Sequence, residues 1–150
     1  MRNELKNLLD QAGKKILFAG IGNLLKKDDG AGVYISRNII SGGNIDSLTV
    51  EVSIENYIGK INSLGPDILV LIDCVDMKEV PGTWRLLRID EIDDHTFNTH
   101  NISLSRISEF FSADVFILGI QPEDVDFGEN ISYLVKNVSD DIINLINNRR

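Results

Sequence analysis

The stretch Ile68-Leu69-Val70-Leu71-Ile72-Asp73 decides the fold class of this chain. Five consecutive apolar residues that do not alternate with polar ones are typical of a strand covered on both faces, as in a parallel sheet. Residues 16–19 and 115–118 form two further stretches of this kind. The three stretches predict the buried strands of a mainly parallel sheet.

Weaker patterns predict the other elements. Strands are predicted at residues 48–52 and 83–88, the second after the turn signal Pro81-Gly82 and with the partial alternation of an edge strand. Apolar residues recur at helical spacing in residues 5–9, 33–40, 54–61, 104–111 and 131–146. The alternation of predicted strands and helices along the chain predicts an α/β fold, a three-layer sandwich with helices on both faces of a twisted, mostly parallel, five-stranded sheet. We expect residues 1–150 to form a single domain.

Composition argues against several classes of function. The formal net charge of −8 disfavours a nucleic-acid partner, because binding phosphates requires a basic surface. The single cysteine, Cys74, cannot form an internal disulfide. The N-terminus is charged throughout, unlike a signal peptide, and no apolar run approaches the roughly 20 residues that span a bilayer. We therefore expect a soluble, cytoplasmic protein.

Two adjacent carboxylates, Asp28 and Asp29, come after the first predicted strand and just before a helix. Ligands of open α/β sheets bind beyond the carboxyl ends of the strands, so such residues are candidates for a functional site. One of the two is expected to cap the helix, which leaves the other available for a different role. The preceding Gly20-Ile21-Gly22 lacks the third glycine of a dinucleotide motif, since Leu25 stands at that position.

Asp73 and His100 complete the set of candidates. A carboxylate that ends a buried strand is costly unless it is solvated, hydrogen-bonded or bound to a metal, so a functional role is favoured for Asp73. Of the two histidines, His95 lies in an acidic segment and is expected to be exposed, whereas His100 precedes a helix. Two carboxylates and one imidazole suit a borderline metal such as nickel or zinc and leave positions for substrate or water. Spacing along the chain does not establish that these residues meet.

Five landmarks in register resemble the hydrogenase maturation endopeptidases. They are Gly20-Ile21-Gly22-Asn23 with Asp28-Asp29-Gly30-Ala31-Gly32, Asp73 after its strand, Pro81-Gly82, Thr99-His100-Asn101, and Leu118-Gly119-Ile120-Gln121-Pro122-Glu123. The resemblance covers about residues 15 to 146. The stretches around His100 and Gln121 are most similar to the branch that processes the large subunit of hydrogenase 3.

This resemblance implies a function and a set of site residues. The family removes a short C-terminal extension from a [NiFe]-hydrogenase large-subunit precursor that already carries nickel. Its three nickel ligands map onto Asp29, Asp73 and His100, and the nickel is expected to arrive with the precursor. Many relatives have an Asp-Gly-Gly turn after the second strand, where this chain reads Val50-Glu51-Val52-Ser53-Ile54-Glu55-Asn56. Many also have small residues where this chain has Cys74.

Two alternative functions are kept open. A phosphoacceptor receiver module also has acidic residues after its first and third strands, but here no lysine follows the last core strand. A cysteine hydrolase would use Cys74 with His100, although Asp73 and Asp76 beside the cysteine are expected to raise the pKa of its thiol.

Overall fold

The computed structural model describes residues 2–11, 13–91 and 104–148. Within these ranges the helices and strands are, in chain order, α1 (Arg2–Leu9), β1 (Ile16–Ile21), α2 (Ala31–Asn38), β2 (Ile45–Glu51), α3 (Ile58–Leu64), β3 (Ile68–Cys74), β4 (Trp84–Arg88), α4 (Leu104–Ser108), β5 (Asp114–Ile120) and α5 (Tyr133–Asn147). Short 3₁₀ helices occur at Lys27–Gly30, Ile54–Tyr57 and Ile89–Glu91.

The five strands form one sheet in the order β2-β1-β3-β5-β4. β1 pairs in parallel with β2 and β3, and β3 pairs in parallel with β5. β4 is antiparallel to β5 and lies at the edge, as the partial alternation of residues 83–88 predicts. The predicted five-stranded, mostly parallel sheet is confirmed.

Helices cover both faces of this sheet and create two apolar cores. On one face Phe18 of β1 belongs to a buried cluster with Ile35 of α2 and Ile142 of α5. On the other face the next residue along the strand, Leu17, belongs to a cluster with Ile61 of α3. Successive side chains of a strand point to opposite faces, and both faces are buried, so the strand sequences are continuously apolar. The predicted three-layer sandwich is therefore confirmed.

Element boundaries differ from the predicted ones by a few residues. β1 continues through Gly20 and Ile21, beyond the predicted end at residue 19, and β3 includes Asp73 and Cys74. The helix predicted at residues 54–61 begins as a 3₁₀ turn and becomes α-helical at Ile58. Gly65, with φ +65°, ends that helix, as Gly65-Pro66 predicts.

The N-terminal helix packs on the sandwich. Leu5 and Leu8 of α1 are buried in the same cluster as α2 and α5. Among the described residues, no helix is both long and apolar enough to cross a membrane.

Candidate active site

The candidate site lies at the carboxyl ends of β1 and β3, the two neighbouring strands near the centre of the sheet. The strand that follows β1 in the chain, β2, lies on one side of the β1–β3 pair, at the edge of the sheet. The strands that follow β3, namely β4 and β5, lie on the other side of this pair. Such a point, where the strand order reverses, is the usual ligand-binding crevice of an open α/β sheet. Asp29 follows β1 and Asp73 lies at the end of β3, so the topology brings both predicted carboxylates to this crevice.

Two glycines allow the segment carrying Asp29 to approach the strand ends closely. Gly32 lies so near β1 and β3 that a Cβ atom there would collide with the carbonyl oxygens of Ile21 and Ile72. Gly22 has φ +147°, and its Cβ would collide with the carbonyl oxygen of Asp29. The 3₁₀ helix Lys27–Gly30 consequently contacts β3. The glycine pattern of this segment therefore serves close backbone packing.

Asp29 is held by its own loop. The residue is 9% exposed, and its Oδ2 accepts a hydrogen bond of 3.0 Å from the backbone N–H of Asn23. The side chain of Asn23 in turn accepts a 2.9 Å bond from the N–H of Leu25, which fixes the turn. Within the described residues the Asn23 bond is the only hydrogen bond to the Asp29 carboxylate. This bond orients the carboxylate. Its oxygens retain lone pairs that can accept a further hydrogen bond or bind a metal ion.

Asp73 is fully buried near the carboxyl end of β3, the central strand of the sheet. It lies within β3, opposite Gly119 of β5, and its Oδ1 accepts a 2.8 Å hydrogen bond from the N–H of Cys74. A carboxylate with no solvent exposure persists in a protein only with strong compensating interactions. Its position agrees with the expectation that Asp73 ends a central strand at the ligand-binding edge.

Asp28 has a role that the sequence analysis did not assign. Within the described residues its side chain does not cap α2; instead it is fully buried and accepts four hydrogen bonds from the segment before α5. The donors are the N–H groups of Glu123 (2.8 Å), Asp124 (3.0 Å) and Ser132 (2.6 Å) and the hydroxyl of Ser132 (2.9 Å). Ser132 is the N-cap residue of α5. Asp28 thus joins the site loop to the start of α5, and its lone pairs are already engaged.

Gln121 stabilises the loop that follows Asp73. Its side-chain oxygen accepts bonds from the N–H groups of Met77 (2.6 Å) and Glu79 (3.3 Å), and its amide nitrogen donates to Asp76 (3.2 Å). From the sequence, Gln121 was identified only as part of a motif. The signal that could have identified it is the one applied to Asp73, a polar side chain at the end of a buried central strand.

Cys74 is buried, and the acidic groups of the site act on it. Burial, followed by the charges of Asp73, Asp29, Asp28 and Asp76, raises the pKa of the Cys74 thiol far above its usual value. A thiol in this environment stays protonated and is a poor nucleophile. The cysteine-hydrolase alternative is therefore disfavoured.

The family resemblance led us to expect an Asp-Gly-Gly turn after β2, and this chain has Glu51 and Val52 there. Glu51 adopts φ +66°, a left-handed conformation that usually favours glycine. Its carbonyl oxygen accepts a 2.9 Å bond from the N–H of Gly22, and its carboxylate lies 3.6 Å from the guanidinium of Arg37. The turn therefore keeps its connection to the site loop without the glycines.

His100, like His95, lies outside the described residues. Within residues 2–11, 13–91 and 104–148 no group of three or more His, Cys, Asp or Glu side chains is arranged to hold a metal ion. The structure thus describes two members of the predicted ligand set, Asp29 and Asp73.

The fold and the site together define an α/β protein with buried carboxylates at the switch point of its sheet. Comparisons with known proteins identify its family. The model of the family described as HycI, hydrogenase maturation protease, matches residues 48–149. The chain therefore belongs to the hydrogenase maturation proteases and is a peptidase, a hydrolase.

Individual relatives agree with this assignment. A protein of Methanocaldococcus jannaschii that is named as a hydrogenase maturation protease is 31% identical over 147 residues, covering 89% of this chain and 86% of the relative. The solution structure of the endopeptidase HycI from Escherichia coli has a TM-score of 0.76 at 29% identity, with 86% of each chain covered. The crystal structure of a [NiFe] hydrogenase maturation protease HycI from Thermococcus kodakarensis has the same fold, with a TM-score of 0.81 at 24% identity over 97% of this chain and 99% of that one.

Proposed function

We propose that this peptidase removes the C-terminal extension of a [NiFe]-hydrogenase large-subunit precursor that already carries nickel. The observation that supports the proposal best is the placement of Asp29 and Asp73 at the switch point between β1 and β3. Family membership supplies the reaction class, and this placement supplies a location for it. The motifs around His100 and Gln121 favour a precursor of the hydrogenase 3 kind.

Asp29, Asp73 and His100 are the proposed ligands for the nickel of the precursor. Carboxylate oxygen and imidazole nitrogen are suitable donors for a borderline divalent ion, and three protein ligands leave positions for groups of the substrate. When bound, the nickel supplies a Lewis acid next to the scissile peptide bond. Because the nickel belongs to the substrate in this proposal, the purified peptidase is expected to contain no stoichiometric zinc or nickel.

The other site residues have defined parts in this proposal. Asn23 orients Asp29 through its backbone N–H, and Gln121 holds the loop after Asp73. Asp28 is disfavoured as a general base because four hydrogen bonds occupy its oxygens. The proposed location is the cytoplasm, where a chain with one buried free thiol keeps that thiol reduced.

A processing assay tests the proposal. Purified protein is incubated with large-subunit precursor, with and without nickel, and the product is read by mass spectrometry. We expect loss of the C-terminal extension from the nickel-loaded precursor alone. Asp29→Ala, Asp73→Asn and His100→Ala should each stop cleavage, whereas Asp141→Ala, which removes an exposed carboxylate of α5, should not.

Two results would contradict it. Cleavage at the normal rate by all three ligand variants would remove the proposed site. Equal cleavage of nickel-free and nickel-loaded precursor would remove the role of nickel and leave the peptidase assignment in place.

A further inference from the structure

Exposed apolar side chains concentrate at the edge of the molecule that carries the candidate site. Nine large hydrophobic residues are exposed in the described part of the chain. Seven of them lie in segments at the carboxyl ends of the parallel strands or in the first turn of α5: Leu25, Val52, Val80, Val125, Phe127, Tyr133 and Leu134. The other two, Ile40 and Phe110, precede β2 and β5 at the opposite edge. Apolar surface rimmed by polar residues is typical of a binding site.

Three of these residues share two hydrogen-bonded segments beside Asp29. Leu25 is 58% exposed, Val125 45% and Phe127 83%. The N–H of Gly128 donates to the carbonyl oxygen of Leu25 at 2.9 Å, which joins the segment containing Phe127 to the loop that leads to Asp29. We call Leu25, Val125 and Phe127 the docking patch.

The backbone beneath the docking patch is fixed. The N–H of Lys27 donates to the carbonyl oxygen of Gly128 at 2.8 Å, and the N–H of Asp28 donates to that of Asp124 at 3.0 Å. The ammonium group of Lys27 lies 2.7 Å from the carboxylate of Asp124, and the hydrogen bonds to the Asp28 side chain anchor the same segment. A surface that is ordered before binding loses little conformational entropy when a partner docks.

Charge around the docking patch selects the partner. Residues 123–129 carry four acidic residues, and the adjoining loop carries two lysines, Lys26 and Lys27. Negative charge is thus in excess, as in the whole chain with its net charge of −8. Docking of a second copy of this chain would bring like charges together, which is unfavourable. A partner with apolar side chains flanked by lysine or arginine fits this surface.

We infer that the docking patch binds the large-subunit precursor through an apolar segment flanked by basic residues, and so presents the adjacent scissile bond to the site. This inference rests on the proposed function, because it uses the same substrate. The docking patch sets affinity for the precursor, whereas Asp29 and Asp73 act at the bond that is cut.

Substitutions in the docking patch should therefore change binding and leave the chemical step intact. We expect Phe127→Ala combined with Leu25→Ala to raise the KM for nickel-loaded precursor, and the Kd measured by biolayer interferometry, by about 10- to 100-fold, the range typical of truncated anchor residues. The kcat should stay within about twofold of the unchanged protein. Phe110→Ala is the matched control, a phenylalanine exposed at the opposite edge, and should change neither constant.

Charge supplies a second measurement on the same surface. Glu129→Lys should weaken precursor binding, and the difference from the unchanged protein should shrink as salt is raised, because salt screens exposed charges. Circular dichroism should show unchanged melting of all these variants, since the replaced side chains are exposed.

The outcomes separate this inference from the proposed function. If the unchanged protein cleaves nickel-loaded precursor and the double variant keeps its KM and Kd, the docking patch is refuted and the proposed function stands. Loss of affinity in Phe110→Ala equal to that in the double variant would also refute it. Sedimentation showing a dimer that Phe127→Ala dissociates would assign the patch to a second copy instead. An unchanged protein that cleaves no precursor refutes both proposals.

Discussion

Replacing the adjacent carboxylates Asp28 and Asp29 separately should divide stability from activity. Both are buried next to the switch point, but their hydrogen bonds differ. Asp28 accepts four hydrogen bonds from residues 95 to 104 positions away in the chain. Among the described residues, Asp29 accepts one, from Asn23 in its own loop. Asp28→Ala is therefore expected to affect chiefly the fold, and Asp29→Ala chiefly cleavage.

The expected magnitudes follow from these contacts. A hydrogen bond to a charged group contributes about 1.5–3 kcal/mol, and buried donors left without a partner add a desolvation penalty. Such contributions within one network are not additive, so we expect Asp28→Ala to lower the free energy of unfolding by about 4 kcal/mol. Asp28→Asn keeps one acceptor oxygen and should cost about half as much. Asp29→Ala loses one bond and should cost about 1 kcal/mol.

Unfolding by guanidinium chloride and by heat, each followed by circular dichroism without added metal, measures these differences in the free energy of unfolding. At about 2–4 °C per kcal/mol for a chain of this size, the melting temperature should fall by roughly 10 °C for Asp28→Ala and by less than about 4 °C for Asp29→Ala. The processing assay run below both melting temperatures should show residual cleavage only in the Asp28 variants. A greater loss of stability in Asp29→Ala than in Asp28→Ala would refute the assignment of roles.

Three further experiments, each with its own substitutions, test other residues of the structure. Cys74→Ala should cleave precursor within about twofold of the unchanged rate. The native thiol should resist iodoacetamide at pH 8 until the protein is unfolded, because its raised pKa keeps it protonated. Loss of cleavage in Cys74→Ala would instead support the cysteine-hydrolase alternative. Gly32→Ala should lower the free energy of unfolding by about 3 kcal/mol, because the new Cβ collides with backbone atoms at the strand ends. Gly59→Ala is the control, because a Cβ at this position in α3 meets open space. In thermal melts it should raise the free energy of unfolding by about 0.5–1 kcal/mol. Glu51→Gly should raise the free energy of unfolding by about 0.5–1 kcal/mol, because glycine adopts the left-handed conformation at this position without strain. The variant also loses a weak, exposed ion pair with Arg37. Glu51→Ala loses the same ion pair but keeps the backbone strain, so it should not stabilise the protein in the same melts.

The layer architecture could be predicted from the sequence because burial leaves a direct pattern. Residues 68–72 are continuously apolar, and each of them is buried, with alternate residues in the two cores. The edge position of β4 could be predicted for the complementary reason, since its burial alternates between buried and half-buried residues. The end of β1 was predicted less accurately. Gly20 ends the apolar run but continues the strand, because its hydrogen bonds to the neighbouring strands do not depend on a side chain.

The site could be predicted only in part. Asp73 could be identified because a carboxylate at the end of an apolar run is conspicuous, and Asp29 because of its place after β1 and the family resemblance. The capping role expected for one member of the acidic pair was wrong for Asp28, whose partners lie about a hundred residues away. Local sequence carries no sign of contacts at that distance. The same holds for Gln121, which directly follows β5 and bonds to the N–H groups of residues 77 and 79 after β3.

The long-range contacts of Asp28 and Gln121 also explain how three separate loops act as one site. Gln121, at the end of β5, fixes the loop after β3, while Asp28, after β1, fixes the segment after β5. Each loop is thereby attached to the next by a polar side chain that bonds to backbone N–H groups, and such bonds depend little on the sequence of the loop they hold. Residues 123–129 can consequently carry Val125 and Phe127 of the docking patch without losing their attachment to Asp28. In this protein, recognition of a partner and positioning of the carboxylates therefore depend on different side chains of the same loops.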